Sequence, residues 1–147
     1  MEPSPITRYL PRFLGLYLVI GSALVVLYAV TKIGGAFAMV TPGLLALVVG
    51  QNFVRDEGRL PSDFERRSFT MLASLGVLGL TAVMAVVAAL AYAVVRGETI
   101  GSGLGQLTQS SPMGLVTGGL LFAAINALLI YVLLGVASKQ EWRNRGA

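Results

Sequence analysis

Four long apolar stretches divide this chain, at about residues 13–31, 34–54, 69–95 and 114–137, and none carries Asp, Glu, Lys or Arg in its interior. A helix needs about 20 apolar residues to cross a hydrocarbon layer roughly 30 Å thick. The pattern therefore predicts an all-α fold, a bundle of four transmembrane helices running up and down in antiparallel fashion. The polar segments between them predict a loop at 55–68, a second loop at 96–113 and a tail at 138–147. The first apolar run is too long for a secretory signal core and has no prompt small-residue cleavage site, so we expect it to be kept as a span.

Composition agrees with the pattern. Over 147 residues, 55% are apolar and 12% charged, and the mean hydropathy is +0.76. That balance cannot clothe a water-soluble domain, and the length has room for one domain. Arg far outnumbers Lys beside abundant Ala, Gly and Val, a mix that points to a GC-rich bacterial genome.

Charge sets the expected orientation. Arg8, Arg12, Arg55, Arg59, Arg66, Arg67, Lys139, Arg143 and Arg145 fall on one side of the predicted bundle, and Lys32 and Arg96 on the other. Basic residues stay in the cytoplasm, so both termini and the 55–68 loop are expected there, and the 96–113 loop in the periplasm. Because the basic residues flank apolar spans, membrane lipids are the expected partners, with no nucleic acid. Tyr9, Tyr92 and Trp142 sit near span ends as candidate interface anchors.

The cytoplasmic loop is heavily punctuated. Gly58 is a plausible helix stop, Pro61 bars continuation, and Ser62 with Glu65 forms a Ser-x-x-Glu capping box. The third helix is thus expected to start near Asp63, in water. Arg55, Arg59, Arg66 and Arg67 form a basic collar on this side, read as snorkelling side chains and, alternatively, as a docking site.

Within the spans, small residues recur where helices could meet. The fourth has Gly119, Ala123 and Ala127 with Asn126 on the same face; the third has Thr81, Ala85, Ala89 and Ala93. The second has Gly43, Ala46 and Gly50, and the first Gly15, Ser22 and Ala29. Asn126 is the most polar residue near a bilayer centre and is expected to face another helix, as packing glue or as a solute contact. Pro42 should kink the second helix, with Thr41 satisfying part of the freed backbone.

No Cys or His is present, which removes thiolate and imidazole chemistry. No catalytic, cofactor-binding or metal-binding residue is expected. Asp56, Glu57, Asp63 and Glu65 match no metal loop.

The Gly50-Gln51-Asn52-Phe53 end of the second span, with Gly58-Arg59-Leu60-Pro61 and Glu65, resembles a pattern in a family of small bacterial inner-membrane proteins labelled ABZJ-type. The resemblance covers most of the chain. It implies a four-helix inner-membrane protein and carries no activity. The expected function is a structural or accessory component of a membrane assembly, within a membrane-protein complex or homo-oligomer. The alternative is a small-solute transporter or channel, oligomeric, lined by Asn126, Thr81, Thr117 and the Pro42 kink.

Overall fold

The computed structural model describes residues 5–31, 35–95 and 112–146, and among these the chain is helical apart from the turn at 58–62. A 3-10 turn, Pro5–Tyr9, leads into α1, Leu10–Thr31; α2 spans Gly35–Glu57, α3 Asp63–Val95 and α4 Pro112–Gly146. Helices α1, α3 and α4 are each long and apolar enough to cross a membrane. Residues 96–111 of the expected 96–113 loop and the short link around residue 33 lie outside the described residues, as do Lys32 and Arg96, while Pro112 and Met113 already belong to α4.

Around the bundle the neighbour order is α1, α2, α4, α3, so α2 and α3, consecutive in sequence, face each other across a diagonal. The seam between α2 and α4 is the most extensive. Its register rises along both chains together: Gly43 lies against Leu129 and Leu133, and Gly50 against Leu134, Ala137 and Ser138. Helices α2 and α4 are therefore parallel. So are α1 and α3, where Leu14 meets Gly76 and Gly21 meets Met84. This up-down path brings like-directed helices together and keeps the expected antiparallel contacts for α1–α2 and α3–α4.

Gly43, Ala46 and Gly50 are all buried in the α2–α4 seam, as their spacing predicts. Without side chains in the way, backbones approach closely and dispersion contacts accumulate, which is what holds helices together when lipid competes for apolar surface. A Cβ at Gly50 would sit 2.7 Å from the carbonyl oxygen of Leu134. The Ser138 hydroxyl donates to the Leu134 carbonyl at 2.7 Å within its own helix.

Among the described residues one apolar core cluster stands out, toward the end where α2 stops and α3 begins. Ile6, Tyr9, Phe13, Tyr17, Phe53, Phe69, Ala73, Val77, Ile130 and Leu134 are buried together. Phe13 and Phe69 meet edge to face, centroids 5.5 Å apart at 81°, a geometry worth about 0.5–1.5 kcal/mol beyond simple burial. Toward the other end the helices present apolar faces outward, with Val26, Val87, Val116 and Leu120 exposed.

Two expectations change. Tyr9 is buried at 4% exposure rather than anchored at an interface. The expected tail is a helical continuation: α4 runs unbroken to Gly146, as its run of Lys, Gln, Glu and Arg permits. Pro42 lies inside α2, which is helical on both sides of it.

Candidate functional site

The chemistry-bearing side chains converge on the end of the bundle where the 3-10 turn, the 58–62 turn and the end of α4 meet. Helix α2 stops at Gly58, whose φ of 61° suits a residue without Cβ. Its amide donates to the Val54 carbonyl at 3.0 Å. The capping box forms as predicted: the Glu65 amide donates to Ser62 Oγ at 3.2 Å, and the Ser62 amide donates to Glu65 Oε2 at 2.8 Å.

Arg59 completes that cap. Its two terminal nitrogens donate to the Glu65 carboxylate at 2.9 Å and 2.7 Å, a bidentate pairing that is among the stronger polar contacts. Glu65 lies ahead of the apolar run that begins at Phe69, outside the spanning segment. The Arg59 hydrogen bonds, helped by Ser62, hold its carboxyl down at about 2 against the effect of burial.

The other described acids are engaged as well. Arg8 pairs with Glu57 at 3.0 Å and Asp56 at 3.5 Å, and the Tyr9 hydroxyl donates to Asp56. Arg55 pairs with Glu141 at 3.0 Å. Arg145 reaches Glu141 at 3.6 Å and donates to the carbonyls of Val54 and Arg55 at 3.4 Å and 3.2 Å. It thereby caps the C-terminus of α2 from α4, a contact that needed the helical extension and was invisible in the sequence. Hydrogen bonding from Arg55 holds the Glu141 carboxyl below its usual range.

Arg66 is placed differently from the rest of the collar. Its guanidinium lies over Gly135 of α4, donates to the Tyr131 carbonyl at 3.0 Å and stands 4.2 Å from the centroid of the Tyr131 ring. Asp63 lies 3.4 Å away. The collar thus divides. Arg55, Arg59 and Arg66 are spent on internal contacts, whereas Arg67 is exposed. Among the described residues every acid is ion-paired, and Arg12, Arg67, Lys139 and Arg143 have no acidic partner. The surplus charge of this end is wholly positive and outward.

The interior residues do not form one constellation. Asn126 is buried at 1% exposure, but its amide nitrogen donates to Phe122 of its own helix at 2.9 Å, and its Oδ1 has no partner among the described residues. It makes no bond to a second helix there. Thr81 bonds the Tyr17 hydroxyl at 2.8 Å in the α1–α3 seam. Thr41 and Pro42 are buried beside α4, and Thr117 is exposed. Ala123 and Gly119 are half-buried, and among the described residues nothing lies within 4 Å of a Cβ added at Gly119. Among the described residues no group of acids is placed to hold a metal ion.

Polar atoms without partners occupy one row that sequence reading did not single out. Arg66, Thr70 and Ser74 follow each other at i, i+4 and i+8 on α3, and Arg66 Nε, Thr70 Oγ1 and Ser74 Oγ are buried without a bond among the described residues. The spacing was available as a signal; the burial was not.

No family model matches this chain, and no curated protein and no solved structure matches it either.

Proposed function

We propose that the chain is a four-span protein of the bacterial inner membrane, both termini cytoplasmic, that serves as a structural or accessory component of a membrane assembly. The ion pairs of Arg8 with Glu57 and of Arg55 with Glu141 support the span count. They draw the start of α1, the end of α2 and the end of α4 to one end of the bundle. A chain that crosses along α1 must return along α2 to make the first of these contacts. The end of α2 carries Arg55, Asp56 and Glu57, and along residues 41–54 much of the helix is buried by its neighbours, so it needs less lipid-facing apolar surface. The surplus of outward positive charge at that same end supports a cytoplasmic placement.

One contrast carries the accessory role: charges closed upon each other at one end, and unoccupied small-residue surface further along. Among the described residues, Gly79, Gly118 and Gly119 have no atom within 4 Å of an added Cβ, and Val83, Val116 and Leu120 are exposed nearby in sequence. Such surfaces let a partner helix approach closely. Membership of the ABZJ-type family belongs to the same proposal and rests on the Gly50–Phe53 and Gly58–Pro61 motifs with Glu65.

The second reading, solute passage through an oligomer, draws on the partnerless Asn126 Oδ1, Thr70 Oγ1 and Ser74 Oγ. Extraction from native membranes in mild detergent, with sizing and identification of co-purifying chains, separates the two. A defined hetero-complex supports the accessory role. A lone monomer contradicts it, and a homo-oligomer that passes solute in proteoliposomes favours the second reading.

A further inference from the structure

We infer that the end of α4 carries a binding site for an anionic phospholipid, its phosphate held by Lys139 and Arg143. These two residues, with Val136, Gln140 and Asn144, line an open recess of about 500 Å³ on the outer face of the helix. Their spacing puts all five on one helical face. Toward the bilayer that face continues as Leu128, Val132 and Val136, which are 64%, 45% and 52% exposed. An apolar strip about 12 Å long, most of the depth of one leaflet, therefore runs directly into a basic recess, the outline of an acyl chain below a headgroup.

The electrostatics favour an anion. Lys139 and Arg143 are four residues apart, where like charges repel and weaken a helix. The nearest acid, Glu141, is turned away and engaged by Arg55 and Arg145. A phosphodiester between the two cations relieves that repulsion, and the side chains of Gln140 and Asn144 bring further hydrogen-bond donors. Lys139 follows the expected end of the fourth span by two residues, at headgroup depth. A zwitterionic lipid brings its own cation to the site and gains less.

Trp142, the one tryptophan of the chain, is adjacent to Arg143 and 45% exposed, so it reports on this site without labelling. The full-length protein in phosphatidylcholine bilayers is to be titrated with brominated phosphatidylglycerol or brominated phosphatidylcholine while Trp142 fluorescence is read. The anionic lipid should quench at lower mole fraction, by about fivefold for each basic residue engaged. Lys139→Gln and Arg143→Gln should each remove about that factor, Arg143→Lys should keep it, and Arg67→Gln, on α3, should leave it unchanged. Circular dichroism confirms that the variants stay helical. Equal quenching by the two lipids overturns the site. So does a preference that survives the Lys139→Gln, Arg143→Gln pair, or one that Arg67→Gln reduces as much, since the charge would then act from the whole surface.

Discussion

Gly135 of α4 makes room for the guanidinium of Arg66 of α3. A Cβ at that glycine would lie 2.7 Å from Arg66 Cζ and closer still to Nη2. The obstruction is the end of a flexible side chain, so Gly135→Ala should displace Arg66 and leave the helices in place. What is lost is the bond to the Tyr131 carbonyl and the stacking on its ring, about 1–3 kcal/mol together. Denaturation in mixed micelles should show that loss, and the Arg66→Ala background should abolish it, as a double-mutant cycle detects.

The contact at Gly50 is of another kind, because the atom in the way is backbone. With the Leu134 carbonyl 2.7 Å from an added Cβ, Gly50→Ala should separate α2 from α4 and cost about 1–3 kcal/mol. Gly119→Ala, where space is open, should change monomer stability by less than about 0.5 kcal/mol. If Gly119 faces a partner chain, the same change should still weaken co-purification.

Acid should loosen the turn between α2 and α3. The folded Glu65 carboxyl is held at about 2, below an unfolded value of about 4.3. The stability it contributes is therefore present above the unfolded value and is lost as pH falls from about 5 toward 2. Arg59 is 45% exposed on its side chain, so solvent screening reduces the contribution to about 1–2 kcal/mol. Glu65→Gln should lower stability at neutral pH and flatten its dependence in that window; an unchanged acid limb would exclude this carboxylate as the cause.

Asn126→Leu should leave stability unchanged or raise it by about 1 kcal/mol, because it removes a buried oxygen without a partner and a bond made only to its own helix. Interhelical glue would require a loss instead. Solute passage would require a change in flux, measurable in proteoliposomes.

The parts of this fold legible in the sequence are those with local causes. Four apolar runs, the Gly58 stop, the Ser62–Glu65 cap and the α3 start at Asp63 each follow from a few adjacent residues, and the structure has the last three where they were expected. The Gly43, Ala46 and Gly50 stripe was also readable, since its period alone places it on one face. Readings that depended on which face meets which helix fared differently. Gly119 and Ala123 also recur at a helical spacing, yet both are only half covered, and among the described residues nothing lies within 4 Å of a Cβ added at Gly119. Asn126 is buried as expected, but its bond runs along its own helix. The partition of the basic collar required tertiary structure: Arg66 and Arg67 are neighbours in sequence, and a turn of about 100° sends one over Gly135 and the other outward.

Cysteine accessibility tests the four-span, one-sided arrangement most directly, since the natural chain contains no Cys. Ser62→Cys and Asn144→Cys should resist a membrane-impermeant maleimide on intact cells and react after permeabilisation, whereas Ser102→Cys should react on intact cells. Labelling of Ser62→Cys and Asn144→Cys from opposite sides would contradict the account, because α3 or α4 would then fail to cross and the charged ends could not share one face.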